Sequence, residues 1–165
     1  MIKVKRASIY YKWRFIERRE KMLLNPNTTV YFGLLENYDR QTHKLQLSAY
    51  QYPNQLQKAW DEAFIKQPQN ELQMRNLLLI DQQKLPDCIY AFILIDCQSN
   101  LYSYEYDADY KRLHNQTLDF LRDLDQSNLI ANSVLEDRSA FSYHAIDAQG
   151  EDLWQGQMVK IPIER

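Results

Sequence analysis

The sequence predicts a single α+β domain over residues 1–165, in which an antiparallel sheet of hairpins packs against two to four helices. Short β-rich segments bounded by turn residues alternate with amphipathic segments at helical spacing, which is typical of this class. A chain of 165 residues with 45% hydrophobic residues is long enough to bury a core, and one domain usually takes about 100–200 residues. No apolar run approaches the roughly 20 residues that a membrane-spanning helix requires.

The N-terminal segment has two interpretations. Ile9, Trp13 and Ile16 recur near helical spacing, which favours a helix that ends before the turn at residues 25–27 and buries Trp13. The beginning of the same segment also alternates between apolar and other residues, so an extended start stays open.

Two β-rich segments, TTVYFGLLEN and KLQLSAYQY, follow and are joined by YDRQTH, which predicts a β-hairpin. In PNQLQKAWDEAFIKQ, apolar residues fall at i, i+3, i+4, i+7 and i+8, which predicts a core-facing helix that ends near Pro68. We expect NELQMRNLLLIDQQK to form a second helical segment before Pro86, because the residue preceding a proline is disfavoured in the helical region.

The segment IYAFILID is almost continuously apolar, which predicts a central strand covered on both faces. The turn CQSN leads from it into LYSYEYDADY, and we expect the two to pair as a hairpin. Residues 110–125 carry apolar side chains on one side and acids on the other, which predicts another helix. The last 25 residues or so predict two strands around a turn at residues 147–150.

The segment LYSYEYDADY is the most distinctive of the chain. Successive side chains of a strand point to opposite faces, so the pattern separates tyrosines from acids. The acids, here called the acidic ladder, are Glu105, Asp107 and Asp109; the tyrosines, here called the tyrosine row, are Tyr102, Tyr104 and Tyr106. One face can pack against a core, and the other can face water, a metal ion or a basic partner.

The charge is unevenly distributed. Residues 1–21 contain eight Lys or Arg and two Glu, a net +6, so the remaining 144 residues carry −8. Such a separation of charge favours binding of an oppositely charged partner by one of the two parts. A solvated helix face also explains a basic run. The basic, aromatic stretch YYKWRFIERR leaves single-stranded nucleic acid as an alternative partner. The acidic net charge of the whole chain argues against this alternative.

Several kinds of site are excluded by composition and spacing. The three glycines are not clustered, as a phosphate-binding loop requires, and the histidines and cysteines are too scattered for a zinc site or a nucleophilic triad. We therefore expect no cofactor and no catalytic residue. The enzymatic alternative is a metal-dependent hydrolase in which the acidic ladder, Asp96 and His114 hold Mg²⁺. Cys88 and Cys97 flank a strand and predict reduced thiols, and the N-terminus lacks the features of a signal peptide, so the expected location is the cytoplasm.

One hairpin carries a resemblance to a known family. The strand FILID ends in Asp, the chain turns through CQSN, and LYSYEYD returns as an aromatic strand that ends in Tyr-Asp. In this hairpin, and in the order of elements over residues 9–110, the chain resembles the YezG-like bacterial immunity (antitoxin) proteins.

The resemblance implies a non-enzymatic protein that neutralises a cognate toxin by covering its active site or another functional surface. Toxins that attack nucleic acid tend to be basic, so Glu105, Asp107 and Asp109 would meet cations of the toxin. Tyr106 or Tyr110 would supply the buried aromatic anchor. The alternatives are the metal-dependent hydrolase, the nucleic-acid-binding protein and an adaptor protein.

Overall fold

The computed structural model describes residues 28–127, 132–137 and 141–165, which form eight strands and two helices. The α+β class is thereby confirmed, whereas the predicted N-terminal helix with Trp13 lies outside the described residues. The strands are β1 (Thr29–Asp39), β2 (Lys44–Tyr50), β3 (Glu71–Ile80), β4 (Cys88–Asp96), β5 (Leu101–Asp107), β6 (Asn132–Asp137), β7 (Phe141–Ile146) and β8 (Asp152–Glu164). The helices are α1 (Pro53–Lys66) and α2 (Tyr110–Ser127).

The strands form one sheet in the order β3-β1-β2-β8-β4-β5, and β6 joins it through β7, which pairs with β8. The predicted hairpins β1–β2 and β4–β5 are both antiparallel. Strands β2 and β8, however, run parallel where Ala49 lies opposite Ile163 and Tyr50 lies opposite Glu164. The sheet is therefore mixed, and the prediction of a purely antiparallel sheet is wrong. No hairpin links β2 to β8, so no turn in the sequence signals their relative direction.

Strand β8 has three neighbours. One of its edges pairs with β4 from Trp154 to Pro162. Its other edge pairs with β7 from Asp152 to Gln157 and with β2 only at Ile163 and Glu164. Between these two ladders, residues 158–162 of β8 pair on that edge with no strand of the described residues. The opening between this part of β8 and residues 44–48 of β2 is here called the slit.

The sheet curls, so that one of its faces encloses the core. Apolar side chains from five strands meet there, and the tyrosines of β5 pack against them from the far edge. The buried members of this cluster are Phe32, Leu34, Ala49, Leu77, Leu79, Ile89, Ala91, Ile161 and Ile163. Since β3 and β5 are the two ends of the strand order, a shared interior brings the ends of the sheet close together.

Helix α1 covers the outer face of β1 and β2, as predicted, but Phe64, the last residue of the predicted apolar stripe, is 59% exposed. Leu56 is buried there against Leu35 and Tyr50. A Cβ atom at Gly33 of β1 would lie 2.9 Å from Cδ2 of Leu56, so glycine at this position permits the close approach of the helix. The helix ends at Lys66, shortly before Pro68.

The segment predicted as a second helix is strand β3, so that prediction is wrong. Ten residues of β3 pair with β1, from Glu71 opposite Tyr38 to Ile80 opposite Thr29. Its apolar run of four residues fits a buried helix or a strand equally well by periodicity. Alternation decides in the structure, because Leu77 and Leu79 are buried in the enclosed core while their neighbours point outward.

Helix α2 covers the outer face of β4, β7 and β8 and buries its apolar side there, as predicted. The cluster contains Phe92, Leu94, Phe120, Leu121, Leu124, Phe141, Tyr143, Ala145, Leu153 and Trp154. Any Cβ atom at Gly156 would collide with the Phe92 ring, so the strand and the aromatic ring approach each other only because this residue is glycine. The predicted turn at residues 147–150 connects β7 to β8.

Both cysteines are free thiols, as predicted. Cys88 begins β4 and Cys97 follows its end. Burial, followed by the charges of Asp152 and Asp96, raises the pKa of the Cys97 thiol to about 11. Among the described residues, neither helix is long and apolar enough to cross a membrane.

Candidate functional site

The tyrosine row points into the enclosed core. The hydroxyl of Tyr106 donates a hydrogen bond to the backbone oxygen of Leu78 at 2.7 Å and accepts one from the backbone nitrogen of Leu78 at 3.3 Å. Its ring also meets Phe32 edge-on, with 5.7 Å between centroids. Tyr106 of β5 thus holds β3, the opposite end of the sheet. This position gives it a structural role and leaves Tyr110 as the exposed aromatic side chain of the predicted pair.

A buried acid lies beneath the tyrosine row. Glu36 of β1 has no solvent exposure, and its carboxylate pairs with Nε of Arg75 at 2.8 Å. The hydroxyl of Tyr102 donates to the same carboxylate at 2.8 Å. Burial, together with hydrogen bonding to Glu36 and its charge, raises the pKa values of Tyr102 and Tyr104 above the usual range of a phenol.

This cluster was not predicted from the sequence. Glu36 is the only charged residue between Thr29 and Asn37 in an otherwise β-rich segment, and that isolation is the signal that could have indicated a buried ion pair. Its partner Arg75 comes from a segment predicted as a helix. The cluster connects β1, β3 and β5 through hydrogen bonds, and it helps to close the sheet.

The acidic ladder lies on the outer face of β5 and at the start of α2. Asp107 accepts two hydrogen bonds from the guanidinium of Arg112, at 2.6 Å and 2.7 Å. That hydrogen bonding, opposed by burial, raises the pKa of Arg112. The Asp109 carboxylate accepts hydrogen bonds from the backbone nitrogens of Lys111 and Arg112 and so caps the N-terminus of α2. Two of the three predicted partner-binding acids therefore also stabilise the helix.

Tyr110 stands at the exposed end of the ladder. Its side chain is 40% exposed, and its ring packs against Tyr90 and His114 with centroid distances of 5.2 Å and 5.7 Å. We call Tyr90, Tyr110 and His114 the aromatic patch. Asp107 lies directly opposite Tyr90 in the β4–β5 ladder, so carboxylates border the patch. Tyr90 was predicted only as part of a buried strand, and no local pattern distinguishes it from its apolar neighbours.

The residues of the predicted magnesium site are not brought together. Asp96 lies opposite Leu101, at the other end of the β4–β5 hairpin from Asp107, which is a separation of about 20 Å at 3.3 Å per residue. The Asp96 carboxylate accepts hydrogen bonds from the backbone nitrogens of Gln98 and Ser99 in the turn. Over the described residues, no three His, Cys, Asp or Glu side chains converge as metal ligands.

The arrangement offers an aromatic patch bordered by carboxylates, at the end of a strand and the start of a helix. The basic stretch that suggested nucleic-acid binding lies outside the described residues. Comparison of the chain with family models, with curated proteins and with solved structures finds no match.

Proposed function

We propose that this protein is a non-enzymatic immunity protein that binds a cognate, basic protein toxin and neutralises it. The observation that carries the proposal is the exposed ring of Tyr110, held by Tyr90 and His114 beside the acidic ladder. Aromatic residues dominate the binding energy of protein interfaces, and an anchor that is already fixed loses little conformational entropy on binding.

The charge balance of the chain beyond its N-terminal segment favours a basic partner. Residues 28–165 contain 12 Lys or Arg and 20 Asp or Glu, a net −8. An acidic surface accelerates the encounter with a basic protein and orients it. Asp109 caps α2 and is exposed, so this residue serves both stability and recognition in the proposal, whereas the ion pair with Arg112 offsets much of the charge of Asp107.

A toxin is proposed as the partner because of the β4–β5 hairpin, in which the chain resembles the YezG-like immunity proteins. In this proposal the aromatic patch and the acidic ladder cover a basic functional surface of the toxin. In this proposal the protein catalyses no reaction and acts in the cytoplasm.

Co-expression tests the proposal directly. The products of the genes adjacent to this one in the native genome are expressed singly in a bacterial host, with and without the protein. We expect one product to stop growth and this protein to restore it, with a stable complex of the purified pair by native mass spectrometry. If no neighbouring product is toxic, or if toxicity persists with abundant folded protein, the proposed function is wrong.

Substitution at the patch then tests the surface. Tyr110→Ala should weaken toxin binding by about 2 kcal/mol or more, as loss of an interface anchor does. Tyr52→Ala is the matched control, because Tyr52 is also exposed, at 51%, and borders α1 rather than the patch. Equal affinities of both variants by calorimetry would place the interface elsewhere.

The contribution of charge needs a variant that preserves the helix cap. Asp109→Asn removes the charge but retains a good N-cap residue, whereas Asp109→Ala removes both and should cost about 0.5–2 kcal/mol of stability. We expect Asp109→Asn to melt normally and to slow toxin association, with the difference shrinking at high salt. Association that is equally fast at low salt would show that Asp109 serves only the helix.

A further inference from the structure

The slit between β2 and β8 is a second surface, separate from the proposed toxin-binding patch. It opens an accessible volume of about 570 Å³, within the range of about 300–1,000 Å³ that is usual for ligand pockets. Its lining comes from both faces of the sheet. The floor consists of enclosed apolar side chains, Leu45, Leu47, Ile93, Val159 and Ile161, and the rim includes Gln46, Glu62, Lys66 and Lys160.

Both walls of the slit present strand edges. The Gln51 backbone nitrogen donates to the Glu164 backbone oxygen, so odd-numbered residues of β2 and even-numbered residues of β8 direct their backbone groups toward each other. Extended along the strands, this alternation directs the backbone groups of Leu45 and Leu47 into the slit from β2. It directs those of Met158 and Lys160 into the slit from β8.

Within the described part of the chain, the β2 edge over residues 44–48 and the β8 edge over residues 158–162 have no strand partner. Pro162 agrees with this, because proline lacks the backbone N–H and is confined to strand edges. Unpaired strand edges are the surfaces to which extended peptides add as an extra strand.

Both edges face one gap, so an inserted strand could pair on two sides. Strands β2 and β8 run parallel to each other, and one strand between them can therefore run antiparallel to both. Alternate side chains of such a strand would point down to the apolar floor and up to the rim. The rim has two exposed lysines, Lys66 and Lys160, against one acid, Glu62, which favours a negative side chain on the outer face.

We propose that the slit binds an extended peptide segment of a protein partner as a strand between β2 and β8. The segment has apolar residues at alternate positions and a carboxylate among the residues between them. This inference goes beyond the proposed function and does not depend on it, since the slit lies on the β8 edge that faces away from β4 and β5.

A synthetic probe tests the proposal on the full chain. The probe is a fluorescein-labelled peptide of seven residues in which valine alternates with threonine and a glutamate replaces the central threonine. We expect its anisotropy to rise with saturation at protein concentrations below about 1 mM, the weak end of specific binding. The same peptide with N-methylated valines should bind about tenfold more weakly, because main-chain hydrogen bonds supply the affinity of an added strand.

Charge exchange at the rim is the second test. The variant Lys66→Glu with Lys160→Glu should weaken binding of the glutamate peptide about threefold to tenfold and strengthen a peptide with lysine at its centre, as expected for exposed pairs. Lys58→Glu, on α1 but outside the slit, is the matched control and should change neither affinity. Circular dichroism confirms that each variant is folded.

Three results would overturn the proposal. The first is the absence of binding to the folded wild-type protein at millimolar concentration. The second is equal affinity for the N-methylated peptide, since this would show that the backbone edges are not used. The third is a protein that binds no peptide but dimerises in sedimentation experiments, with dimerisation abolished in the rim variant. The slit would then bind a second copy of the chain.

Discussion

Removal of one hydroxyl group tests how the sheet closes. In Tyr106→Phe, the ring and its edge-on contact with Phe32 are retained, but Leu78 of β3 loses hydrogen bonds at both its backbone oxygen and its backbone nitrogen. A lost hydrogen bond costs about 0.5–1.5 kcal/mol. The bond to the nitrogen is longer, at 3.3 Å, and contributes less.

The expected loss in the free energy of unfolding is therefore about 1–2 kcal/mol. For a chain of this size, each kcal/mol lowers the melting temperature by about 2–4 °C, which gives a decrease of about 2–8 °C. Thermal and urea denaturation measure the loss. Hydrogen exchange adds a local signal, because the Leu78 amide should exchange faster once its acceptor is gone.

Tyr31→Phe is the matched control. Tyr31 lies directly opposite Leu78 in the β1–β3 ladder, and its side chain is 62% exposed on the outer face. We expect this variant to change stability by less than about 0.5 kcal/mol. If Tyr106→Phe is as stable as the control and the Leu78 amide is equally protected, the hydroxyl does not hold the sheet closed. A loss of toxin affinity in that stable variant would instead restore Tyr106 as the anchor.

Three further predictions concern the interior. Arg75→Met should cost about 3 kcal/mol by urea denaturation, because the buried carboxyl group of Glu36 would lose its ion-pair partner. A loss below about 1 kcal/mol would contradict this. Gly156→Ala should lower the free energy of unfolding by about 1–3 kcal/mol, because the added methyl group overpacks against Phe92. The double variant that also carries Phe92→Leu should recover part of that loss. No recovery would refute the contact. In a variant with the other cysteine replaced by serine, the rate of Cys97 alkylation by iodoacetamide should rise about tenfold per pH unit from pH 8 to 10, because the thiol has a pKa of about 11. A plateau of the rate near pH 9 would contradict that value.

Elements with a clear and long periodicity could be predicted from the sequence. The apolar stripe that includes Leu56 predicts helix α1, and the apolar side of residues 110–125 predicts helix α2. The nearly continuous apolar run of β4 correctly indicated a strand covered on both faces, and the structure buries Ile89 inside the curl and Phe92 under α2. In each case local burial and tertiary packing favour the same conformation, so a local pattern was sufficient.

Where tertiary pairing decides, the sequence was insufficient. The run of apolar residues at the end of β3 fits either helix or strand, and only its ten-residue pairing with β1 selects the strand. The pair Glu36–Arg75 joins residues that are far apart in the chain, so no spacing rule could find it. The alternation of β5 correctly separated tyrosines from acids, but it could not indicate which face the curl would enclose.

The candidate site was predicted in part. The sequence predicts the acids as a recognition surface, and the structure shows that Asp109 also caps α2, as an Asp before an amphipathic segment often does. The sequence predicts Tyr106 or Tyr110 as the anchor, and in the structure the rings of Tyr90 and His114 pack against Tyr110. The contact between the start of α2 and β4 joins residues that are far apart in the sequence, so no local pattern predicts it.

The sharing of β8 among three neighbours has a consequence for how the protein is made. Strand β4 ends at residue 96, whereas β8, its partner on one edge, is completed only at residue 164. At about 5–20 residues per second, a ribosome would take roughly 3–14 s to synthesise the intervening chain. During that interval the apolar β4 would have an open edge, and pairing so distant in sequence is slow to form. We therefore expect newly made chains to depend on chaperones until β8 emerges, and to aggregate through β4 when translation stops early.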